Sequence, residues 1–169
     1  MSVNEEGVNE TNQYLTFKLD REVFALGIAK VREVLDYTAI TRVPKTPDFM
    51  RGVINVRGGV VPVVDLRVKF GMEPTPQTVN TCIIIVEIRM EGETTVLGAL
   101  ADQVEEVLDL DPAQIEPAPR IGTRLRTEFI KGMGKRDEQF IIILDIDRVF
   151  SGEELASVAG GDEGARATA

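Results

Sequence analysis

The sequence predicts an all-β protein in which two small β-barrels pack together and each half of the chain ends in a short helix. First, the chain repeats itself: residues 49–66 align with residues 129–146 without a gap, and Asp65 lies opposite Asp145. Second, each copy contains short apolar stretches separated by closely spaced turn residues, which is typical of short antiparallel strands. Third, each copy ends in an aspartate followed by a short amphipathic stretch, which predicts a capped helix.

The repeat extends upstream, because residues 31–36 (VREVLD) match residues 104–109 (VEEVLD). Two similar halves in tandem predict two similar subdomains related by a pseudo-two-fold axis. We expect the first subdomain to span about residues 14–75 and the second about residues 79–150. Function is then expected at the outer faces of the subdomains or in the groove between them.

The first strands of each half follow from alternating side chains. In residues 14–20 (YLTFKLD) apolar and polar residues alternate strictly, which predicts a half-buried strand, and residues 23–28 return after an Asp-Arg-Glu turn. The second half repeats this hairpin, with strands predicted at 81–90 and 94–100. Each half then continues into its VxEVLD segment and a loop that contains prolines.

Another hairpin follows in each half. The first joins residues 53–56 to 60–64 through an Arg-Gly-Gly turn, and the second joins residues 130–133 to 140–144 through a polar turn. Pro62 removes a hydrogen-bond donor from its strand, which predicts a sheet edge or a bulge.

The helices are predicted directly after the hairpins. Asp65 is expected to cap a helix at 66–70, and Asp145 a helix at 146–150. In both, the apolar residues recur at helical spacing and are expected to face inward.

Charge and composition exclude several classes of function. The net charge is −9 with no basic stripe, so nucleic acid is not expected as a partner. Much of this acidity lies in residues 1–13 and 151–169, which are predicted to be flexible tails around a folded body at 14–150. No apolar stretch is long enough to cross a bilayer, so direct membrane insertion is not expected, and the N-terminus does not resemble a signal peptide.

The chain contains no histidine, which removes the commonest general base and the commonest metal ligand. We therefore expect no catalytic residues, no metal and no cofactor. The single cysteine, Cys82, begins an apolar run and is interpreted as a packing residue, because no histidine is present to activate it. A lone cysteine also fits a reducing cytosol.

Paired carboxylates are the first candidate site. Glu33 with Glu106, or Asp36 with Asp109, could meet across the pseudo-two-fold axis and share a proton. We favour solvated acids beside an apolar stripe, because neither aspartate lies in an Asp-Thr-Gly or Asp-Ser-Gly turn.

Arg57, at the tip of the first hairpin, is the second candidate. It is either a solubilising residue or an anchor at an interface, where arginine is enriched. We expect Arg136 to be its counterpart in the second half.

The apolar residues of the VxEVLD segments are the third candidate. Leu35 and Leu108 are interpreted as core residues. The valines are either core residues or the lining of a groove that takes an amphipathic helix from a partner; they are Val31, Val34, Val104 and Val107.

Taken together, these residues resemble the CheW family of bacterial chemotaxis coupling proteins. The most specific stretch is GVINVRGGVVPVVDLR at residues 52–67, whose Asn-Val-Arg-Gly turn and Val-Pro-Val-Val-Asp-Leu strand match the family signature. The resemblance covers residues 14–150 and includes the second Glu-Val-Leu and the Leu-Asp-Ile at 144–146.

The resemblance implies two tandem five-stranded SH3-like β-barrels and a protein that is not an enzyme. It implies an adaptor in the cytoplasm, at membrane-associated chemoreceptor arrays, that couples the cytoplasmic signalling tip of methyl-accepting chemoreceptors to the regulatory domain of the histidine kinase CheA. Together with the groove valines, it implies a receptor-binding set composed of Val31, Glu33, Gly52, Arg57, Cys82, Val104 and Val107. It implies a kinase-binding set within residues 37–45, composed of Tyr37, Ile40, Arg42 and Val43.

Alternative functions remain open. The chain could be the adaptor of a parallel, non-flagellar chemosensory pathway. It could instead be a small-molecule-binding β-barrel protein that uses the groove between the barrels, which would require convergent polar groups in a concave site. A structural oligomer without a signalling role is a further possibility.

Overall fold

The computed structural model describes residues 12–90, 92–117 and 127–157, and its fold is predominantly β. The first half of the chain contains five strands and one helix, namely β1 (Gln13–Leu19), β2 (Glu22–Gly27), β3 (Val31–Asp36), β4 (Met50–Val56), β5 (Gly59–Asp65) and α1 (Leu66–Lys69). The second half contains β6 (Cys82–Met90), β7 (Glu93–Ala101), β8 (Gln103–Asp109), β9 (Ile115–Glu116), β10 (Ile130–Arg136), β11 (Gln139–Leu144) and α2 (Ile146–Val149). Short 3-10 helices lie at Ile28–Lys30, Pro112–Gln114 and Thr127–Phe129.

The strands form two curled sheets, as the prediction of an all-β, two-barrel fold requires. One sheet has six strands in the order β8-β1-β2-β11-β10-β9, and the other has five in the order β3-β6-β7-β5-β4. Neighbouring strands are antiparallel except for two parallel pairs, β2 with β11 and β5 with β7.

The sheets do not follow the division of the sequence at residues 14–75 and 79–150. The hairpin β1–β2 of the first half pairs with strands of the second half, and the hairpin β6–β7 pairs with strands of the first half. The crossing is short: only Ile28–Lys30 separates β2 from β3. The two barrels are therefore interleaved. The sequence did not predict this, because alternation with a period of two indicates where strands lie but not which strands pair.

The repeat is nevertheless structural, as predicted. The Asp65 backbone N–H donates to the Phe49 carbonyl at 2.6 Å, and the Asp145 N–H donates to the Phe129 carbonyl at 2.8 Å. The register also shifts at matching places, between Met50 and Gly52 in the β4–β5 pair and between Ile130 and Gly132 in the β10–β11 pair. Asp65 and Asp145 thus stand at the start of equivalent helices.

The main hydrophobic core lies where the two sheets meet. It includes apolar residues of both sheets and both helices, and among its members are Phe17, Phe24, Phe70 and Phe129. These four rings pack in series, with centroids 5.9–6.0 Å apart. Two smaller clusters fill the interior of the individual sheets. Burial of both curled faces against one another therefore joins the barrels into one body.

Pro62 is not on an edge strand, since β5 lies between β7 and β4. It pairs with Val53 on the β4 side, whereas the parallel pairing with β7 begins only at Val63. The proline therefore sits where its strand has a single neighbour, which makes the missing N–H tolerable.

The tails differ from the prediction at both ends. Gln13 already belongs to β1, and the Leu110 N–H donates to the Asn12 carbonyl at 2.9 Å. At the other end, residues 152–157 are helical and Leu155 is buried in the main core. The remainder of the predicted tails, residues 1–11 and 158–169, lies outside the described residues.

Candidate interaction surface

The tip of the first hairpin is a tight two-residue turn. Arg57 and Gly58 both have positive φ, +50° and +83°, which is the conformation that matches the twist of the flanking strands. The Gly58 N–H donates to Asn55 Oδ1 at 2.9 Å, so the asparagine fixes the turn from inside the hairpin. This local geometry explains the sequence Asn-Val-Arg-Gly.

Arg57 forms a bidentate pair with Glu33 on β3. Its two terminal guanidinium nitrogens donate to the two carboxylate oxygens at 2.6 and 2.8 Å. The hydrogen bond from Arg57 lowers the pKa of Glu33, and the same bond raises the pKa of Arg57. The Arg57 side chain is still 74% exposed, whereas that of Glu33 is 26% exposed. Two residues of the predicted receptor-binding set are thus held together, with the guanidinium at the surface.

The second hairpin has no equivalent of this pair. Its turn residues with positive φ are Asp137 and Glu138, at +50° and +64°. Asp137 therefore occupies the position of Arg57, as the gapless alignment also requires, and the expectation that Arg136 is the counterpart is wrong. Arg136 is instead the last residue of β10. Glu106, the repeat equivalent of Glu33, is also acidic, so the second half has acidic residues at both positions of the pair.

Gly52 is required by the backbone. Its φ is +145°, and a Cβ atom there would overlap the carbonyl oxygen of Thr41. This close approach lets Thr41 exchange two backbone hydrogen bonds with Val53, at 2.9 and 2.8 Å. The predicted receptor-contact residue Gly52 thus holds the loop that follows β3 against β4.

That loop carries the predicted kinase-binding set. Tyr37 and Ile40 pack against the core of the five-stranded sheet, and Val43 packs against the main core. Arg42 is exposed beside the Thr41 bridge. The apolar side chains of this loop therefore pack inward, and the charged side chain of Arg42 is exposed to solvent.

Cys82 is half-buried, which differs from the buried position expected from its apolar run. It is the first residue of β6, opposite Asp36 of β3, and its thiol donates to the Asn80 carbonyl at 3.2 Å. The residues that follow it, from Ile83 to Val86, are buried. Its place at the end of the strand explains the difference.

The four valines divide into two types. Val31 and Val104 are half-buried and pack against the main core. Val34 and Val107 are 40% and 49% exposed. Val31 and Val34 belong to β3, and Val104 and Val107 belong to β8. These are edge strands of two different sheets, and each turns one valine inward and one outward. The predicted core residues Leu35 and Leu108 are half-buried and buried, respectively.

The carboxylate pairs are not supported as acid dyads. Glu33 is occupied by Arg57, and Glu33 and Glu106 belong to different sheets. Within residues 12–90, 92–117 and 127–157, no group of three or more potential metal-ligating residues is found. No helix in these ranges is long and apolar enough to cross a membrane.

Sequence reasoning missed two features of this region. The contact between Glu33 and Arg57 joins residues 24 positions apart on separate strands, and no local pattern reveals it. The role of Thr41 is signalled only indirectly, by the glycine at position 52 that makes room for it.

Comparison with known proteins identifies the family of this chain. A family model described as a CheW-like domain matches residues 13–154. The chemotaxis protein CheW of Klebsiella aerogenes is 39% identical over 146 residues, covering 86% of each chain. The chemotaxis protein CheW of Thermotoga maritima is 31% identical over 151 residues, covering 88% of this chain and 92% of the relative.

A solved structure has the same architecture. The scaffolding protein TtCheW from Thermoanaerobacter tengcongensis superposes with a TM-score of 0.74 at 36% sequence identity, covering 85% of this chain and 90% of the other. The chain therefore belongs to the family of CheW-like domain proteins.

Proposed function

We propose that this chain is a chemotaxis adaptor that couples chemoreceptors to the histidine kinase CheA in a signalling array next to the membrane. The observation that carries the proposal is membership of the CheW-like family across residues 13–154, in a chain that pairs Glu33 with Arg57 on an exposed turn. The protein would act as a scaffold with no chemistry of its own. Several weak interfaces used together would gain from effective concentration in the array.

The proposed receptor-binding surface is centred on Arg57. A guanidinium carries five N–H donors, and the bond to Glu33 leaves others directed at solvent. Because Glu33 fixes its orientation, Arg57 can donate to a carbonyl or carboxylate of a receptor tip with little further loss of side-chain freedom. The surface is completed by Val31, Gly52 and Cys82 on the same sheet and by Val104 and Val107 on the other.

The proposed kinase-binding surface is the loop held by Gly52. Its apolar residues Tyr37, Ile40 and Val43 are half-buried and give the loop a fixed shape, and Arg42 projects from it. A preorganised loop of this kind binds with a smaller entropic cost than a flexible one.

Binding of a receptor-tip fragment and of the CheA regulatory domain, measured separately by calorimetry and together by gel filtration, tests the proposal. The wild-type chain is expected to give a ternary complex. Arg57→Glu should lose receptor binding while it retains the kinase domain. The double reversal Glu33→Arg with Arg57→Glu restores the intramolecular pair but not the exposed cation, so it should also fail to bind receptor.

Arg136→Glu is the matched control, since Arg136 is exposed on the second hairpin and does not occupy the turn. It should behave as wild type. Binding of neither partner by the wild-type chain would contradict the adaptor function. Equal losses for Arg57→Glu and Arg136→Glu would indicate general electrostatics instead of a specific site.

A further inference from the structure

Residues 151–157, here called the strap, leave the last helix and turn back onto the body of the protein. The strap is a short helical turn closed by a reciprocal pair: the Ser151 N–H donates to Glu154 Oε1 at 2.8 Å, and the Glu154 N–H donates to Ser151 Oγ at 3.1 Å. The Leu155 N–H donates to the Ser151 carbonyl at 3.0 Å. This is a capping box, so the turn holds its shape through its own side chains.

The strap is seated on a socket made of one cation and three aromatic rings. The Lys69 ammonium contacts Glu154 Oε2 at 2.6 Å. The same ammonium lies 5.4 Å from the ring centroids of Phe49 and Phe129 and 5.9 Å from that of Phe150. Lysine over several aromatic faces is stabilised by the ring quadrupoles, and the carboxylate completes its coordination.

The socket combines both halves of the chain. Lys69 is at the end of α1, and Phe49 precedes β4, whereas Phe129 and Phe150 come from the second half. The repeat equivalent of Lys69 is Val149, so only the first half of the repeat has a cation at this position. The socket therefore lies at the seam between the interleaved barrels, and the strap covers it.

Only two strap residues are anchored. Leu155 is 8% exposed within the main core, and Glu154 is half-buried against Lys69, whereas the other five strap residues are exposed. Burial by itself raises the pKa of Glu154, but the hydrogen bonds from Lys69 and Ser151 outweigh it and leave the pKa below its ordinary value. Segments with few buried contacts are in general those that open locally at the lowest cost in free energy.

We propose that the strap is detachable, and that the socket it leaves binds a helical turn bearing an adjacent glutamate and leucine from a second protein. The chemistry of the proposed binding partner follows from the strap itself, which fills the socket with Glu154 and Leu155. With the strap released, Lys69, whose side chain is only 14% exposed, would lose its carboxylate while it remains largely desolvated. A carboxylate followed by an apolar residue on one helical turn restores both contacts. The strap is thus an internal competitor for an interaction surface, whether or not the protein is a chemotaxis adaptor.

Hydrogen exchange measured by NMR on the full-length chain tests the detachment. The amides of Glu154 and Leu155 should exchange through local opening, faster than the amides of the buried strand residues Ile84 and Leu97 and independently of global unfolding. Strap amides that exchange only together with Ile84 and Leu97 would overturn the proposal.

Peptide titration tests the socket. The full-length double variant Glu154→Gln with Leu155→Ala, which weakens the strap, is titrated with the capped peptide Ser-Gly-Glu-Glu-Leu-Ala. The peptide should shift the signals of Phe49, Phe129 and Phe150. A peptide with glutamine in place of its second glutamate should bind roughly tenfold more weakly, as loss of a charge-assisted hydrogen bond predicts.

Glu153→Gln is the matched control, because Glu153 is the neighbouring strap residue and is exposed. This variant should keep the strap docked and bind no more peptide than wild type. No peptide-dependent shift at the three phenylalanines in the double variant, or equal binding of the two peptides, would overturn the inference.

Discussion

Arg57 is expected to contribute little to the stability of the fold and more to the proposed receptor-binding surface. Its pair with Glu33 is short and bidentate, but the guanidinium is 74% exposed, and pairs in solvent contribute little to stability. The same geometry fixes where the remaining donors point. The position is therefore expected to matter more for binding than for folding.

A double-mutant cycle on Glu33→Ala and Arg57→Ala measures this separation. The coupling free energy in urea unfolding should be small, as for other exposed pairs. Binding of a receptor-tip fragment should fall for both single variants. A much larger coupling in unfolding would show that the pair is primarily a structural clamp.

Gly52 represents the opposite case, in which the fold leaves no choice of residue. Gly52→Ala places a Cβ against the Thr41 carbonyl at a φ of +145°. We expect a loss of about 3 kcal/mol or more in the free energy of unfolding, because backbone strain and a steric overlap add. The measurement is urea denaturation.

Gly59→Ala is the control in the same hairpin, since its φ is not positive and its Cβ would come no closer than 3.4 Å to the Val56 carbonyl oxygen. It should change stability much less. Comparable losses for the two variants would show that the hairpin tolerates no side chain at either glycine, whatever its φ.

Among the secondary-structure elements, the two equivalent helices begin with aspartates that have different surroundings. Asp65 is fully buried and accepts hydrogen bonds from the Arg67 N–H, from Arg51, and from the backbone and hydroxyl of Thr75. It thereby ties the segment that links the two halves to the start of α1. Asp145 makes no capping bond with its side chain.

Asp65→Ala should therefore cost about 3–5 kcal/mol in the free energy of unfolding, because it leaves Arg51 and the Thr75 donors without their acceptor. Asp145→Ala should cost less than about 1 kcal/mol. Chemical denaturation of both variants gives the comparison. Equal costs would contradict the account of Asp65 as the buried acceptor of this network.

Two salt bridges occupy equivalent places in the repeat, but the basic and acidic partners are exchanged. Arg67 of α1 pairs with Asp102 at 2.9 Å, and Asp147 of α2 pairs with Lys30 at 2.7 Å. Arg67 and Asp147 are repeat equivalents, and Asp102 and Lys30 lie in equivalent connections after β7 and β2. Each helix is therefore joined to the point where the chain crosses between the sheets. Charge complementarity was retained although the residues exchanged sign.

The strap is expected to depend on pH. The pKa of Glu154 is below its ordinary value of 4.5, so the stabilising pair with Lys69 is complete above that pH and is lost as the pH falls through the lowered pKa. The difference in free energy of unfolding between wild type and Glu154→Gln should be constant near neutral pH and shrink at acidic pH. A difference that grows on acidification would contradict the sign of this linkage.

At the scale of the whole molecule, the interleaved barrels make the two halves mutually dependent. Each sheet is completed by a hairpin from the other half, and the main core contains residues of both sheets. A half-chain would expose strand edges along its full length and lose most of its core partners. The molecule is thus expected to unfold as one cooperative unit in spite of its internal repeat.

Fragments that end and begin in the linker, residues 1–77 and 78–169, test this dependence. Each fragment alone should lack cooperative thermal unfolding in circular dichroism, and mixing the two should restore it. Cooperative unfolding of either isolated fragment would show that a barrel forms from one half alone.

The sequence by itself determined the local features: the positions of the strands, the gapless repeat, the helices after Asp65 and Asp145, and the Asn-Val-Arg-Gly turn. These depend on side-chain alternation and turn chemistry, and at Asp65 on capping, which act between residues close in sequence. Only the tertiary structure decided that the hairpins pair across the halves, that Glu33 orients Arg57, and that the strap docks on Lys69. Those contacts join residues far apart in the chain, and they are selected by the burial of two curled faces against each other, which no local pattern encodes.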